Sequence, residues 1–352
     1  MLRIENSSQQ NPSLWESVLP PELFQMNEEL TKIDKLLDDE CFFASFREKF
    51  CTHMGRPTTA VATYLRLMYL KYRYGLCYEV LVKEVSDSFA WRRFCHLALD
   101  DRVPDSTTLI KLTHKYGEDT VRALNEALVL KLKEGKVVRG KKLRIDTTVV
   151  ESDIHHPMDT GLLIDSIRVI TRIVGKLKNT VPGIGSLFDV GARPIRRGKS
   201  QADTEFGRKV LLGETDHGII STYQVLEDNP SDVALLKPAV KGHKRLFRKR
   251  LKAVTGDRGF YSQANEDWLK DDGVQQTSIP KRGKISDERK RYQKQPWFKR
   301  LQRFRVGIEA RISLLKRKFG LKRSRMRGSS GINIWVSQGI FAHNLWQAAR
   351  IA

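Results

Sequence analysis

Three acids in this chain sit where a carboxylate invites chemistry. Asp146 lies in KKLRIDTTVVES, a strand-like run whose Leu143, Ile145, Val149 and Val150 suit the inside of a sheet. An unpaired charge there costs several kcal/mol or is neutralised by a shifted pKa, so Asp146 needs a partner. Asp257, in VTGDRGFYS, falls where a strand should end. An aspartate between glycines commonly bonds its own turn, yet in open α/β sheets functional groups gather just past the carboxyl ends of strands. Glu309 lies in RFRVGIEARISLLKRKFG. At 100° per residue, Arg305 falls about 40° and Lys316 about 20° from it, with Ile308, Ile312, Leu315 and Phe319 on the adjoining face. The plain alternative for such a glutamate is an exposed helical salt bridge.

A strand Asp, a strand-end Asp and a helix-edge Glu can converge over one sheet. Clustered carboxylates raise one another's pKa unless a cation neutralises them, and hard oxygen donors without Cys or His suit Mg2+ or Mn2+. Two ions about 3.5–4 Å apart bind the attacking and leaving oxygens of a phosphodiester. A nuclease-type reaction also needs a basic neighbourhood. Of a net charge of +22, residues 281–330 hold 19 Lys+Arg against 3 Asp+Glu, and a second basic run occupies 241–252. Concentrated and broken by Phe, Trp and Leu, these runs read as helix faces against nucleic-acid phosphates.

The elements that must position these acids follow from periodicity. Residues 1–138 read as helices: PELFQMNEELTKIDKLLDD entered at its proline, residues 58–74 stopped by Gly75, and a helix capped by Asp105 or Ser106 that ends at Gly117 before another runs to Glu134. This suits a helix-turn-helix-like DNA-binding domain or a plain helical bundle. Residues 139–325 read as an α/β domain: the Asp146 strand, a helical insertion at about 160–205, a hairpin through Asp216, His217 and Gly218, a helix from Ser231, two short strands and a basic helix at 297–319. Residues 326–352 close as a helix.

Four cysteines without a C-x-x-C pair indicate neither zinc ribbon nor disulfide framework, and Cys51 with His53 or Cys95 with His96 lacks regular ligand spacing. Gly198, Lys199 and Ser200 resemble the tail of a P-loop, but Arg193 stands where its first glycine belongs. The first residues lack a charged-then-apolar leader and no apolar run reaches about 18 residues, so the expected location is the cytoplasm, with no membrane partner.

With these motifs the chain resembles DDE transposases of bacterial insertion sequences, in the group whose third motif reads Y-x2-R-x3-E-x6-K. Arg305, Glu309 and Lys316 match R-x3-E-x6-K, while Gln302 stands in the tyrosine position. Asp146 with TTVVESDIHHP resembles the first motif and Asp257 in TGDRGF the second. GRPTTAVATYLRLMYLKYRYGL and VPDSTTL resemble the helical domain that precedes the catalytic one. The resemblance implies an RNase H-like mixed sheet with flanking helices, and two Mg2+ or Mn2+ ions held by Asp146, Asp257 and Glu309. It further implies double-stranded DNA partners (terminal inverted repeats and target DNA), cleavage and strand transfer, and a homodimer or larger assembly. Arg305 and Lys316 would then hold phosphates as fork and point charge, with Lys209, Arg258 and Arg311 as further DNA contacts. His155 and His156 read as a polar loop at the active-site rim. Two rival functions remain: a metal-dependent nuclease that never rejoins, and a DNA-binding factor without catalysis.

Overall fold

The computed structural model describes residues 2–4, 16, 18–47, 49–50, 57–153, 163, 166–170, 193–199 and 202–351. Helix α1 (Glu28–Leu37) starts at Asn27, whose side-chain oxygen accepts from the Leu30 amide at 2.8 Å. Pro21 opens a separate 3-10 turn, Pro21–Phe24, because the asparagine satisfies an orphan N–H that proline cannot. Helix α2 (Val61–Tyr74) stops at Gly75, whose φ of +69° would strain any residue with a Cβ. Helices α3 (Tyr78–Asp87) and α4 (Phe89–Phe94) lead to α5 (Ser106–Glu134), capped by Asp105. At Gly117 the backbone leaves helical geometry (φ 71°, ψ −175°), which is the expected break between a helix ending there and a second running to Glu134.

The sheet begins with β1 (Lys142–Glu151) and adds β2 (Arg193–Lys199), β3 (Ala202–Thr215), β4 (Ile220–Val225), β5 (Ala253–Thr255) and β6 (Gln276–Ser278). β3 runs antiparallel to β1 on one edge and to both β2 and β4 on the other, whereas β5 is parallel to β1 and β6 to β5. The order β4-β3-β1-β5-β6, antiparallel in its first three strands and parallel thereafter, is that of the RNase H-like fold. The segment expected as a helical insertion is helical at 166–170, but 193–199 and the start of β3 are strand, since the long β3 offers an edge for β2 to pair with.

Helices α6 (Asp232–Phe247) and α7 (Gln263–Asp271) cover one face, where Leu143, Ile145, Leu211 and Val254 pack on Leu235, Leu236, Ala239, Val240 and Leu269. Beyond α8 (Asp287–Lys294), the opposite face takes α9 (Pro296–Lys318) and α10 (Gly328–Ile351). There Val150, Val210 and Leu212 join a continuous core with α2, α5, α9 and α10. The closing helix is therefore interior. Its Asn344 holds the Ile220 amide at 3.0 Å and carbonyl at 2.9 Å and reaches Asn125 of α5 at 3.1 Å, pinning β4 to the N-terminal helices. Secondary structure changes near residue 138, but the core does not. Among the described residues no helix is long and apolar enough to cross a membrane.

Candidate active site

Alternation along β1 separates its side chains by face. Leu143 and Ile145 point to α6, so Arg144 and Asp146 share the face covered by α9. Asp146 is half-buried, and its Oδ1 accepts from the Thr147 amide at 2.8 Å. In the parallel pairing of β1 with β5, Arg144 stands opposite Thr255. That pairing ends at Thr255, so Asp257 lies two residues past the end of the strand that neighbours β1. Asp257 caps the turn Arg258–Phe260, its Oδ1 accepting from the Gly259 amide at 2.7 Å. Both the turn role and the strand-end position read from the sequence are thus met by one residue.

Glu309 lies on the α9 flank with its side chain 56% exposed, and Arg305 holds its Oε1 at 2.7 Å. This is the helical salt bridge of the plain alternative. Among the described residues, the carboxylate oxygens of Asp146, Asp257 and Glu309 do not gather within 4.8 Å of one another. The cluster that does comprises Asp34, Asp38 and His96, and Arg66 already sits among them, 2.7 Å from Asp34 Oδ1. Burial acts to raise the Asp34 pKa, but hydrogen bonds from His96 and Arg66 and their charges outweigh it and hold the group below the usual carboxylate range. Its charge is balanced by arginine, so it is a structural ion cluster.

The helix that carries Glu309 is fixed by contacts that sequence reasoning missed. Gln302 Nε2 donates to Ser278 O at 2.7 Å, Ser278 Oγ at 2.9 Å and Thr255 Oγ1 at 3.3 Å, tying α9 to the ends of β5 and β6. Arg144 donates to the Phe304 carbonyl at 2.8 Å and forms a two-pronged pair with the fully buried Glu214, at 2.8 and 2.7 Å. Arg311 adds a third bond to Glu214 at 2.8 Å. On the α6 face, Asp232 accepts from Thr147 at 3.3 Å and pairs with Lys209 at 2.8 Å. A Cβ on Gly259 would meet the carboxylates of both Asp232 and Asp257 at 2.7 Å, so the turn bearing Asp257 packs closely on the start of α6. A charged residue of the same parity as Asp146 in β1 was the available signal for Arg144; Asp232 gave none, being an ordinary first-turn acid.

The expected DNA contacts divide. Arg258 is exposed beside Asp257, and Lys316 lines a basic cleft. Lys209 is buried, bonded to the Pro230 carbonyl at 2.7 Å as well as to Asp232, and Arg311 is turned inward to Glu214, His343 and Gln347. Neither is a surface cation; each is drawn inside by a carboxylate the linear pattern did not pair with it. Arg305 is occupied by Glu309. His155 and His156, and the Cys51 and His53 pair, lie outside the described residues.

The strand order is RNase H-like, with Asp146 in β1, Asp257 just past β5 and Glu309 on the basic helix α9. Residues 180–345 match the family model described as a transposase DDE domain, and residues 21–115 that of a transposase domain (DUF772). Together the two matches support a DDE transposase of an insertion sequence. It is 27% identical over 139 residues to the uncharacterized protein ORF8 in the nfe locus of Rhizobium meliloti, a match covering 38% of this chain and 65% of that protein, just short of two thirds of its length. Among solved structures it is similar to the piggyBac transposase synaptic complex with hairpin DNA, at 13% identity and a TM-score of 0.33, covering 98% of this chain and 78% of the other. It is also similar to the pre-cleavage Mos1 transpososome, at 10% identity and a TM-score of 0.21, covering 85% and 81%.

Proposed function

We propose that the protein binds the terminal inverted repeats of its own insertion sequence and catalyses metal-dependent cleavage and strand transfer of double-stranded DNA, as a homodimer or larger assembly on paired ends. What supports this reading is Asp146 in β1 and Asp257 just past the end of the adjacent β5, in a chain that matches the transposase DDE domain model. The family implies divalent ions, and the donor set fits them: hard carboxylate oxygens from the middle of β1, from the turn after β5 and from α9. Asp146, Asp257 and Glu309 would hold two Mg2+ or Mn2+ ions. Bound there, such ions supply Lewis-acid stabilisation of the charge that develops on a phosphodiester. For Glu309 to join the aspartates, its carboxylate must leave Arg305, which frees that guanidinium to hold a phosphate as a fork. Arg258 and Lys316 add positive charge beside the scissile strand.

The pairing of Glu309 with Arg305 gives weight to a second reading, a DNA-binding factor without catalysis. One experiment separates these readings, and the rejoining-free nuclease with them. The protein is incubated with Mg2+ and DNA carrying the ends of its element, and nicks and joined products are resolved on a denaturing gel. Joined products are expected. Nicks alone would favour the nuclease, and binding with neither would favour the factor. Asp146→Ala, Asp257→Ala and Glu309→Ala should each abolish both products while DNA binding persists; strand transfer retained by any one of them refutes the site.

A further inference from the structure

Between the C-terminal end of α2 and the segment that leaves α9 lies a cleft of about 780 Å³. Lys71 and Arg73 contribute from α2, while Lys316, Lys318, Lys322 and Arg325 contribute from the other wall. Among the described residues the one acid lining it is Asp153, just past β1, which pairs with Arg323 at 3.2 Å and Arg327 at 4.0 Å. Cations at this density repel one another, so an arrangement that holds them around one concavity, with Lys322, Arg323 and Arg325 exposed, is stabilised by a polyanion. Lys71 is the most telling member. The residue is 2% exposed and its ammonium sits 4.4 Å from the ring centres of Tyr72 and Trp335 and 4.6 Å from that of Tyr78, a cage that attracts a cation but cannot accept strong hydrogen bonds from it. Negative charge held in the cleft would stabilise that ammonium through space.

The two walls come from opposite ends of the chain. Arg323 bridges to Glu151, the last residue of β1, and the Glu151 amide donates to the Lys322 carbonyl at 3.1 Å, so the basic wall is an extension of the sheet that carries Asp146. The facing wall belongs to the N-terminal helices. We propose that this cleft is a composite phosphodiester-binding site in which the N-terminal helices and the sheet grip successive backbone phosphates of one DNA strand. The inference rests on the DNA-acting reading above and gives that reading a specific binding surface. It also makes the helical region part of one continuous DNA track with the sheet, consistent with the shared core beneath it.

Neutralising Z phosphates gives a salt dependence of log K with slope about −0.9Z, so each lost contact flattens the slope by roughly one. The test is fluorescence anisotropy of the full-length protein on a labelled duplex of mixed sequence, without divalent ions and at stepped salt. It compares wild type with the double variant Lys322→Ala/Arg325→Ala and with Arg139→Ala/Lys142→Ala, two exposed cations at the entry to β1 and outside both basic runs, each checked for folding by its thermal melt. The cleft variant should bind roughly tenfold more weakly at about 0.1 M salt, with a slope flatter by about two, while the control stays near wild type. An unchanged slope in the cleft variant, or an equal loss in the control, overturns the proposal. The readout is binding alone, so a wild type that binds but never cleaves would count against the transposase reading and leave the cleft standing.

Discussion

Lys71 is held among ring faces at a cost that depends on pH. Burial, and after it the nearby Arg325 charge, push its pKa down to about 7. Between pH 7 and the usual lysine range near 10.4, the unfolded chain therefore carries a proton that the folded chain has lost, and stability rises with pH across that window. Below 7 the charged ammonium stays buried and its penalty, on the order of a few kcal/mol, is felt in full. In Lys71→Met the melting temperature at pH 6.5 should rise, and its increase from pH 7 to 9 should flatten. A melt series with an unchanged pH slope would contradict the assignment. Glu214 is the opposite case, a carboxylate buried between two guanidiniums. Removing one member of a buried ion group strands the rest, so Glu214→Ala should cost about 3–5 kcal/mol in a urea titration. Replacing Arg144, Glu214 and Arg311 together by Met should recover most of that loss, because no charge then remains unpaired.

The helix α9 is the element on which the candidate site depends, since it alone carries Glu309 over the strands that bear the aspartates. Its N-terminal half hangs on Gln302, which occupies the signature's tyrosine position and bonds to the ends of β5 and β6 instead of facing solvent. Gln302→Ala should destabilise the fold by about 1–3 kcal/mol and speed hydrogen exchange in residues 298–305 more than in 311–318, which Glu214 still anchors. Equal acceleration in both halves would mean that Gln302 does not hold the helix locally. This element also marks how far the sequence could be read. The helix, its Ile308 and Leu315 face and its acid were legible because helical periodicity is a local property. The inward turn of Arg311 was not, because the carboxylate that draws it in lies 97 positions earlier in the chain, and the turn of Lys209 hangs likewise on a partner beyond its own strand. The break at Gly117 and the helix that follows it to Glu134 were legible for the same local reason, and Val121, Leu124 and Leu128 of that helix join the core.

At the scale of the whole molecule, α10 makes the N-terminal helices and the sheet one cooperative body, and two buried histidines make that body acid-sensitive. His343 on α10 accepts from Arg311 through Nε2 at 3.1 Å and donates through Nδ1 to Asn344 at 3.2 Å, a pattern that requires the neutral ring. Burial, and then the Arg311 charge, push its pKa down to about 3. His243 on α6 bonds Ser221 at 2.7 Å and the Gly140 carbonyl at 2.9 Å, and burial pushes its pKa down to about 4. Below pH 6.5 both take protons when unfolded and refuse them when folded. Their contribution is present above that pH and is lost progressively toward pH 4, each at up to about 1.4 kcal/mol per pH unit. Because the sheet and the N-terminal helices share one core, the loss should appear as a single transition and not as the release of a helical domain. Urea titrations from pH 7.5 to 5 should show stability falling, with helical and tryptophan signals moving together. In His243→Gln the slope should shrink by about one proton's worth. Two separated transitions, with the sheet outlasting the helices, would mean that α10 does not couple them.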